Sequence, residues 1–387
     1  MPKLGEICKI ESGGPPSRAK LEYWDGGNIP WIKISNMNSK FVENCDEYNT
    51  QEGLTNSSAK IFPKGTILIS IFATLGEVSI LKFPATTNQA IAGLQVLDNT
   101  VNTEYLYYFL KSIKTKIESI GRGVAQNNIN LSILRKLDVF VPSKDEQEKI
   151  VSVMNLVHSN MSKLQKQLDD YDLLIKSRFI EMFGDPVRND RQWRQSFLKD
   201  VTSKIGSGAT PKGGKSSYLR EGISFIRSMN VHDGKFVYKE LAYLDTSQAT
   251  ALDNVCVEPY DVFVNITGAS VARSCVVPKD VLPARVNQHV AIIRPLKSEI
   301  NAFFLNHQFL CKPFKNYLLA LGGAGGATRE AITKAQLEQT KIVVPPLDLQ
   351  NQFADFVAQV DKSKLAVQKS IDELETLKKS LMQEYFG

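Results

Sequence analysis

The sequence predicts a mixed α+β fold in which two globular parts are separated by two long antiparallel coiled-coil helices, built as an internal pseudo-twofold repeat. Three observations carry this reading. The chain is written twice: Ser177, Glu181, Phe183 and Gly184 recur 203 positions later as Ser380, Glu384, Phe386 and Gly387, and the same offset relates Pro142, Asp145 and Gln147 to Pro345, Asp348 and Gln350. Apolar residues precede each of these ends at heptad spacing. The remaining stretches hold short aliphatic runs bounded by turn residues, which is strand patterning.

Taken in order, the segments are a globular part at 1–144, a long helix at 145–184, a second globular part at 185–347 and a second long helix at 348–387. In the globular parts Ile29-Pro30-Trp31-Ile32-Lys33 matches Ile223-Ser224-Phe225-Ile226-Arg227, and Ile67–Ile71 matches Val262–Ile266 as a strand. Ile91–Val96 and Val290–Ile293 form a further matched pair, each preceded by Asn-Gln. A helix follows at Thr103–Ile120 and Asn301–Leu321, then a glycine-containing loop at 121–129 and 322–332, then a last strand at Leu137–Val141 and Lys341–Val344. In the first long helix Ile150, Met154, Val157, Met161, Leu164, Leu168, Tyr171 and Ile175 alternate spacings of four and three, with no Pro or Gly from Glu146 to Phe183. That length rises roughly 57 Å, too far for an ordinary core helix. Its twin carries Phe353, Val357, Val360, Val367, Ile371 and Leu374, with Lys364 interrupting the stripe. Asp145 and Asp348 are the expected N-caps, and Gly184-Asp185-Pro186 is a stop signal. Pairing between the helices is expected to run antiparallel, with Ile150, Val157, Leu164 and Leu168 facing Val357, Val360, Val367 and Ile371.

At 387 residues, 43% hydrophobic and 23% charged, the chain is long enough for two ordinary cores and has the composition of a globular protein. No apolar run approaches the roughly 20 residues that span a bilayer, and the N-terminus has no signal-peptide core, so a cytoplasmic, non-membrane protein is expected. Five scattered cysteines without a Cys-x-x-Cys pair, and four scattered histidines, indicate neither a disulfide frame nor a metal site. Charge is uneven: +3 over 1–144 and +7 over 185–347, against −2 in each helical segment. Positive charge therefore lies on the globular parts, where a polyanion could be held.

Catalytic patterns are missing. Gly208-Ala209-Thr210-Pro211-Lys212-Gly213-Gly214-Lys215-Ser216 resembles a phosphate-binding P-loop but has Ala209 where the first glycine must fall. There is no dinucleotide fingerprint, no methyltransferase tetrapeptide, no His-Glu-x-x-His and no nucleophile elbow. Loops rich in Asn, Gln, Ser, Thr, Arg and Lys remain. Asn and Gln pair bidentately with adenine, Arg and Lys with guanine or phosphate, and glycine lets backbone N–H groups approach phosphate. Recurrence of Asn-Gln at equivalent points singles out Asn88, Gln89, Asn287 and Gln288 for base contact, together with Gln126, Asn127 and Arg329 in the glycine-containing loops. Lys33, Arg122, Lys212, Arg227 and Arg273 are the candidates for phosphate. No catalytic or metal-ligating residue is assigned.

This constellation resembles the specificity subunit of type I restriction–modification enzymes. The residues that carry the resemblance are the two Asn-Gln pairs, Gln126-Asn127-Asn128-Ile129, and Val-Pro-x-x-Asp-x-Gln leading into a long heptad helix twice. It implies a non-catalytic subunit with two target recognition domains, 1–144 and 185–347, each reading one part of a split double-stranded DNA sequence. It also implies helices that dock two methyltransferase subunits, restriction subunits in the full complex, and S-adenosylmethionine, ATP and Mg²⁺ on those partners. In the second copy Thr328-Arg329-Glu330 departs from the Gln126-Asn127-Asn128 pattern. A specificity subunit of another bipartite restriction system, or a helical scaffold that binds no DNA, are the alternatives. If the helices act as a ruler, inserting four residues after Leu164 adds about 6 Å of rise. The spacer of the target should then lengthen by about one to two base pairs, and an unchanged spacer in an active complex would refute the idea.

Overall fold

The computed structural model describes residues 1–122, 128–323 and 331–387, with only the backbone at 121 and 122. Gln126, Asn127 and Arg329, and the side chain of Arg122, lie outside the described residues. Two compact units emerge, Met1–Gln165 with Lys369–Gly387, and Lys166–Gln368. Among the described residues no helix is long and apolar enough to cross a membrane.

The first unit contains strands β1 (Cys8–Ser12), β2 (Ile29–Ile32), β3 (Phe41–Val42), β4 (Glu47–Asn49), β5 (Ile67–Ser70), β6 (Val78–Leu81), β7 (Thr86–Thr87) and β8 (Ile91–Val96). They form a sheet of order β1-β8-β5-β6-β3 and a smaller one of order β4-β2-β7. Every residue of β5 is buried, and strand alternation explains why. Ile67 and Ile69 enter a cluster with Tyr105, Leu106 and Phe109 of the helix Thr103–Ser112. Leu68 faces the other way, into a cluster with Ile32, Val42 and Phe62. The larger sheet is thus a middle layer, and a strand covered on both faces reads as a continuous apolar run.

The second unit repeats this plan. Its strands are β9 (Gln195–Phe197), β10 (Thr202–Ser207), β11 (Ile223–Ile226), β12 (Val231–His232), β13 (Lys235–Phe236), β14 (Ala242–Leu244), β15 (Val262–Asn265), β16 (Ser274–Val276), β17 (Ala284–Val286), β18 (Val290–Pro295) and β19 (Lys341–Val343). The order β10-β18-β15-β16 matches β1-β8-β5-β6, and β14-β11-β17 matches β4-β2-β7. Even the register is kept: Leu94 lies between Ile10 and Ile67, and Ile293 between Ile205 and Val262. Val262 and Val264 join a cluster with Phe304 and Leu305, whereas Phe263 joins one with Phe225 and Val286.

Three expectations are corrected. Each helix of the globular parts divides, into Thr103–Ser112 and Lys114–Arg122, and into Ala302–Leu310 and Lys312–Gly323. In the second copy Pro313 lacks the N–H that continuation requires but suits a first turn. Leu137–Val141 is not a strand. Only an isolated bridge joins Asp138 to Lys3, because the neighbouring chain turns at once into the helix Leu4–Ile7. The first long helix begins at Lys144, so Asp145 sits inside its first turn, and Ser143 does the capping. Its hydroxyl and N–H donate to Glu146 Oε2 at 2.8 and 3.0 Å while the Glu146 N–H returns to Ser143 Oγ at 3.4 Å. The second long helix begins at Leu347, so Asp348 is likewise inside its first turn.

The long helices, Lys144–Phe183 and Leu347–Phe386, contribute 40 residues each. Within the second unit Phe179 and Phe183 of the first helix meet Phe353 of the other, with ring centroids 5.5 and 5.6 Å apart, and Asp172 meets Lys364 at 2.6 Å. Residue numbers rise on one helix as they fall on the other, so the pair is antiparallel there. Lys364, which breaks the heptad stripe, does so to make this ion pair. Ile175, Val357 and Val360 are buried in the same cluster. In the first unit Ile150 and Met154 share a cluster with Leu381, Met382, Tyr385 and Phe386, the same antiparallel sense. The expected facing sets are therefore shifted along the helices: Val357 and Val360 pack with Ile175 and Phe179, and Ile150 with Leu381 to Phe386, rather than with each other, because in each unit the start of one helix meets the end of the other. Val157, Val367 and Ile371 are buried, and Leu164 and Leu168 are half-buried.

Gln147 and Gln350, visible in the sequence only as motif letters, are fully buried. Gln147 Oε1 accepts from the Asn102 N–H at 2.8 Å, and its Nε2 donates to the carbonyls of Thr100 and Pro142 at 2.9 and 3.0 Å. Gln350 repeats this with the Asn301 N–H at 2.8 Å and the carbonyls of Glu299 and Pro345 at 3.3 and 2.8 Å. Asn102 and Asn301 in turn cap the helices Thr103–Ser112 and Ala302–Leu310. One amide per unit therefore fixes where a long helix leaves its globular part.

Candidate nucleic-acid interface

In each unit two strands run parallel and end together. Trp31 and Ile32 of β2 pair with Thr86 and Thr87 of β7; Phe225 and Ile226 of β11 pair with Arg285 and Val286 of β17. The residues that follow are Lys33 beside Asn88 in the first unit and Arg227 beside Asn287 in the second. Both Asn side chains close the same turn. Asn88 Oδ1 accepts from the Ala90 N–H at 3.0 Å and Asn287 Oδ1 from the His289 N–H at 3.0 Å. That turn pushes Gln89 and Gln288 outward, and both are exposed. Asn88 and Asn287 therefore support the turn, while the glutamines present amides to the outside.

Other loops converge on this edge. A Cβ on Gly13 would fall 2.3 Å from the Thr87 carbonyl, and one on Gly208 1.7 Å from that of Val286, so only glycine lets the preceding loop pass. The Ile129 N–H donates to the Ile71 carbonyl at 3.0 Å and the Ile332 N–H to that of Ile266 at 2.8 Å. These bonds anchor the far ends of the glycine-containing loops beside the same strand ends. The candidates Gln126, Asn127, Arg122 and Arg329 belong to those loops and fall outside what is described.

The phosphate candidates differ in their surroundings. Lys33 Nζ lies 2.7 Å from Glu47 Oε1, and Arg18 lies 2.5 Å from its Oε2. Hydrogen bonds from Lys33 and then Arg18 hold the Glu47 carboxyl below the usual carboxylate range. The guanidinium of Arg18 also lies 3.7 Å from the centroid of Trp24. Arg227 donates to the Glu240 carbonyl and sits 5.5 Å from the Tyr218 ring, and its Nε is buried without a partner. Lys212 is exposed in the loop after Gly208. Arg273 is half-buried where its carbonyl accepts from the Asn265 N–H at 2.9 Å, at the end of β15. The structure thus gathers Lys33, Asn88 and Gln89 on one edge, and Arg227, Asn287, Gln288, Lys212 and Arg273 around the other. Sequence reasoning passed over Thr210, Thr267 and His289, which touch Gln288 or each other. The one available signal was His289 following the repeated Asn-Gln. No group of three or more His, Cys, Asp or Glu able to hold a metal occurs among the described residues.

Two equivalent hydrogen-bonding edges with exposed amides and nearby cations, on a duplicated fold, are the surfaces of a ligand-binding protein rather than of an enzyme pocket. The chain matches the family described as the type I restriction modification DNA specificity domain over residues 1–170 and 190–376, and it belongs to that family. Among curated relatives, the MjaIX specificity subunit of Methanocaldococcus jannaschii is 24% identical over 98% of this chain and 90% of its own length. The EcoR124I/EcoR124II specificity subunit of Escherichia coli is 32% identical over 39% of each chain. The solved S subunit of the Mycoplasma genitalium type I system shares the fold, with a TM-score of 0.56 and 16% identity, covering 100% of this chain and 95% of that one. A second solved chain, from work on complex assembly and conformational transition of the type I restriction–modification system, gives a TM-score of 0.59 at 18% identity over 99% and 96%. This protein is a type I restriction–modification specificity subunit, and its function is DNA target recognition.

Proposed function

We propose that each unit reads one part of a split double-stranded DNA target through the edge built on its Asn-Gln turn. The observation that carries this is the identical construction of that turn in both units, with an exposed glutamine at its tip and a glycine letting a second loop approach. A protruding amide can reach a base edge in the major groove, and cations around it can hold phosphates without reading sequence. The long helices dock two methyltransferase subunits, and restriction subunits join the full complex. Support for two equivalent docking surfaces comes from Leu174 and Leu377, exposed at 46% each and separated by the 203-residue repeat. In this reading the chain contributes no catalytic group; S-adenosylmethionine, ATP and Mg²⁺ belong to the partner subunits.

The test separates reading from holding. Gln288→Ala should cost roughly 1–3 kcal/mol on the intact target and relax preference in one part only. Lys212→Ala should weaken binding to all sequences alike and reduce the salt slope by about one. Titrations of the assembled complex at several salt concentrations, with targets altered in one part at a time, distinguish the two. Equal loss of affinity for target and random DNA in Gln288→Ala would remove that residue from base readout.

A further inference from the structure

We infer that Gln288 is a fixed reader, oriented by a hydrogen-bond chain of Thr210, Gln288, His289 and Thr267 that has no counterpart among the described residues of the first unit, so that Thr210 and His289 are positioning residues for one part of the target. The inference rests on the reading of the Asn-Gln edge proposed above.

The contacts define the chain atom by atom. Gln288 Oε1 accepts from the Thr210 hydroxyl. Gln288 Nε2 lies 3.3 Å from His289 Nε2, and His289 Nδ1 lies 2.6 Å from Thr267 Oγ1. An amide nitrogen can only donate, so His289 Nε2 accepts, and the ring proton sits on Nδ1, from which it is donated to Thr267. Each end of the Gln288 amide then keeps one capacity unused: a lone pair on Oε1 and an N–H on Nε2. An acceptor next to a donor is the complement of adenine N6–H and N7 in the major groove, whereas guanine offers two acceptors there. Turning the amide over would require the imidazole proton to move to the other nitrogen and both hydroxyls to reorient with it. A lone exposed glutamine has no such constraint.

The first unit shows what the chain adds. By the equivalence of Gly13 with Gly208, of the Phe72–Asn128 bridge with Thr267–Ala331, and of the two Asn turns, the counterparts of Thr210, Thr267 and His289 are Pro15, Phe72 and Ala90. None of these three side chains can form a hydrogen bond. All three links are absent together, and Gln89 stands exposed at the same turn. The second unit therefore reads with an amide held in place by neighbours on both ends, the first with an amide that has none of these three partners among the described residues.

The experiment uses the full chain co-expressed with its cognate methyltransferase subunit, reading the methylated sequence on plasmid DNA from the same cells. Gln288→Ala should make one position in one part of the methylated sequence degenerate. His289→Ala and Thr210→Val should relax that same position roughly tenfold and leave the other part unchanged. His289→Gln, whose amide oxygen can occupy the place of Nε2, should restore it, and Gln288→Ala with His289→Ala should be no looser than Gln288→Ala alone. Unchanged discrimination in His289→Ala, where Gln288→Ala does relax a position, would overturn the orienting chain and leave the edge reading intact. Uniform loss of methylation at all sites in His289→Ala would also overturn it, by showing only a structural role. If Gln288→Ala altered no position, the assignment of the edge itself would fall.

Discussion

Gln350→Leu should destabilise the second unit by about 3–5 kcal/mol, the largest effect expected of any single substitution considered for this chain. The side chain is fully buried and satisfies three backbone groups: the Asn301 N–H and the carbonyls of Glu299 and Pro345. Leucine fills nearly the same volume, so the loss is not a cavity. It strands one donor and two acceptors away from water, at about 1–3 kcal/mol each before relaxation. The Asn301 N–H belongs to the residue that caps Ala302–Leu310, so helix and long-helix docking weaken together. Denaturant titration followed by a probe in the second unit measures this, and a loss below about 1 kcal/mol would show that water or a shifted backbone replaces the amide. Gln147→Leu should act alike on the first unit, where the same three contacts recur.

The second large effect is acid sensitivity of the second unit through His307. Burial, with a further push from Lys364 and a smaller opposing pull from Asp172, lowers the His307 imidazole to about 4. The ring packs edge-on to Phe353 at 5.3 Å, so protonation would place a charge against the helix that joins the unit's core. The folded value lies below the unfolded one, near 6.5, so the unfolded chain binds the proton first. Stability is full above about pH 6.5, declines as pH falls and levels off near pH 4; because the residue is only half-buried and solvent screens its charge, the total is below the roughly 3 kcal/mol that the full shift would give. His307→Tyr, which installs the residue found at the equivalent Tyr108, should abolish that decline without changing stability at pH 8 by a similar amount. Parallel pH profiles for both proteins would contradict the assignment. His158 in the first unit is lowered in the same direction, by burial and then by Lys378, Lys40 and Lys111.

Much of the architecture was legible because it is written in short-range pattern and in repetition. Heptad spacing specified the long helices, β-branched runs specified β5 and β15, and the doubled Asn-Gln marked the turns that carry Gln89 and Gln288. What the sequence hid was long-range pairing. Gln147 and Gln350 were recognisable letters, but their partners lie 45 to 51 residues earlier for the capped helices, a separation no local pattern records. Thr210 and Thr267 are ordinary loop residues until folding sets them near Gln288 and His289, 78 and 22 residues away. Lys33 was a candidate for phosphate, yet just past β2 it pairs with Glu47 of β4. Leu137–Val141 had strand composition but found only the start of the chain beside it.

The first unit is discontinuous, and this sets an order of events during synthesis. Its core includes contacts from Tyr105 and Phe109 to Phe386, at 5.5 and 6.3 Å, and from Leu381, Met382 and Tyr385. The second unit is one uninterrupted stretch, Lys166–Gln368. A ribosome therefore finishes every residue the second unit needs before it supplies the segment that closes the first. The N-terminal part, although made first, waits with its apolar surface around Tyr105 uncovered while some two hundred further residues are added. Vectorial synthesis normally favours the N-terminal domain. Here the N-terminal part cannot complete its core until Phe386 is supplied, and the interval before that leaves its apolar surface around Tyr105 open to chaperones and to aggregation.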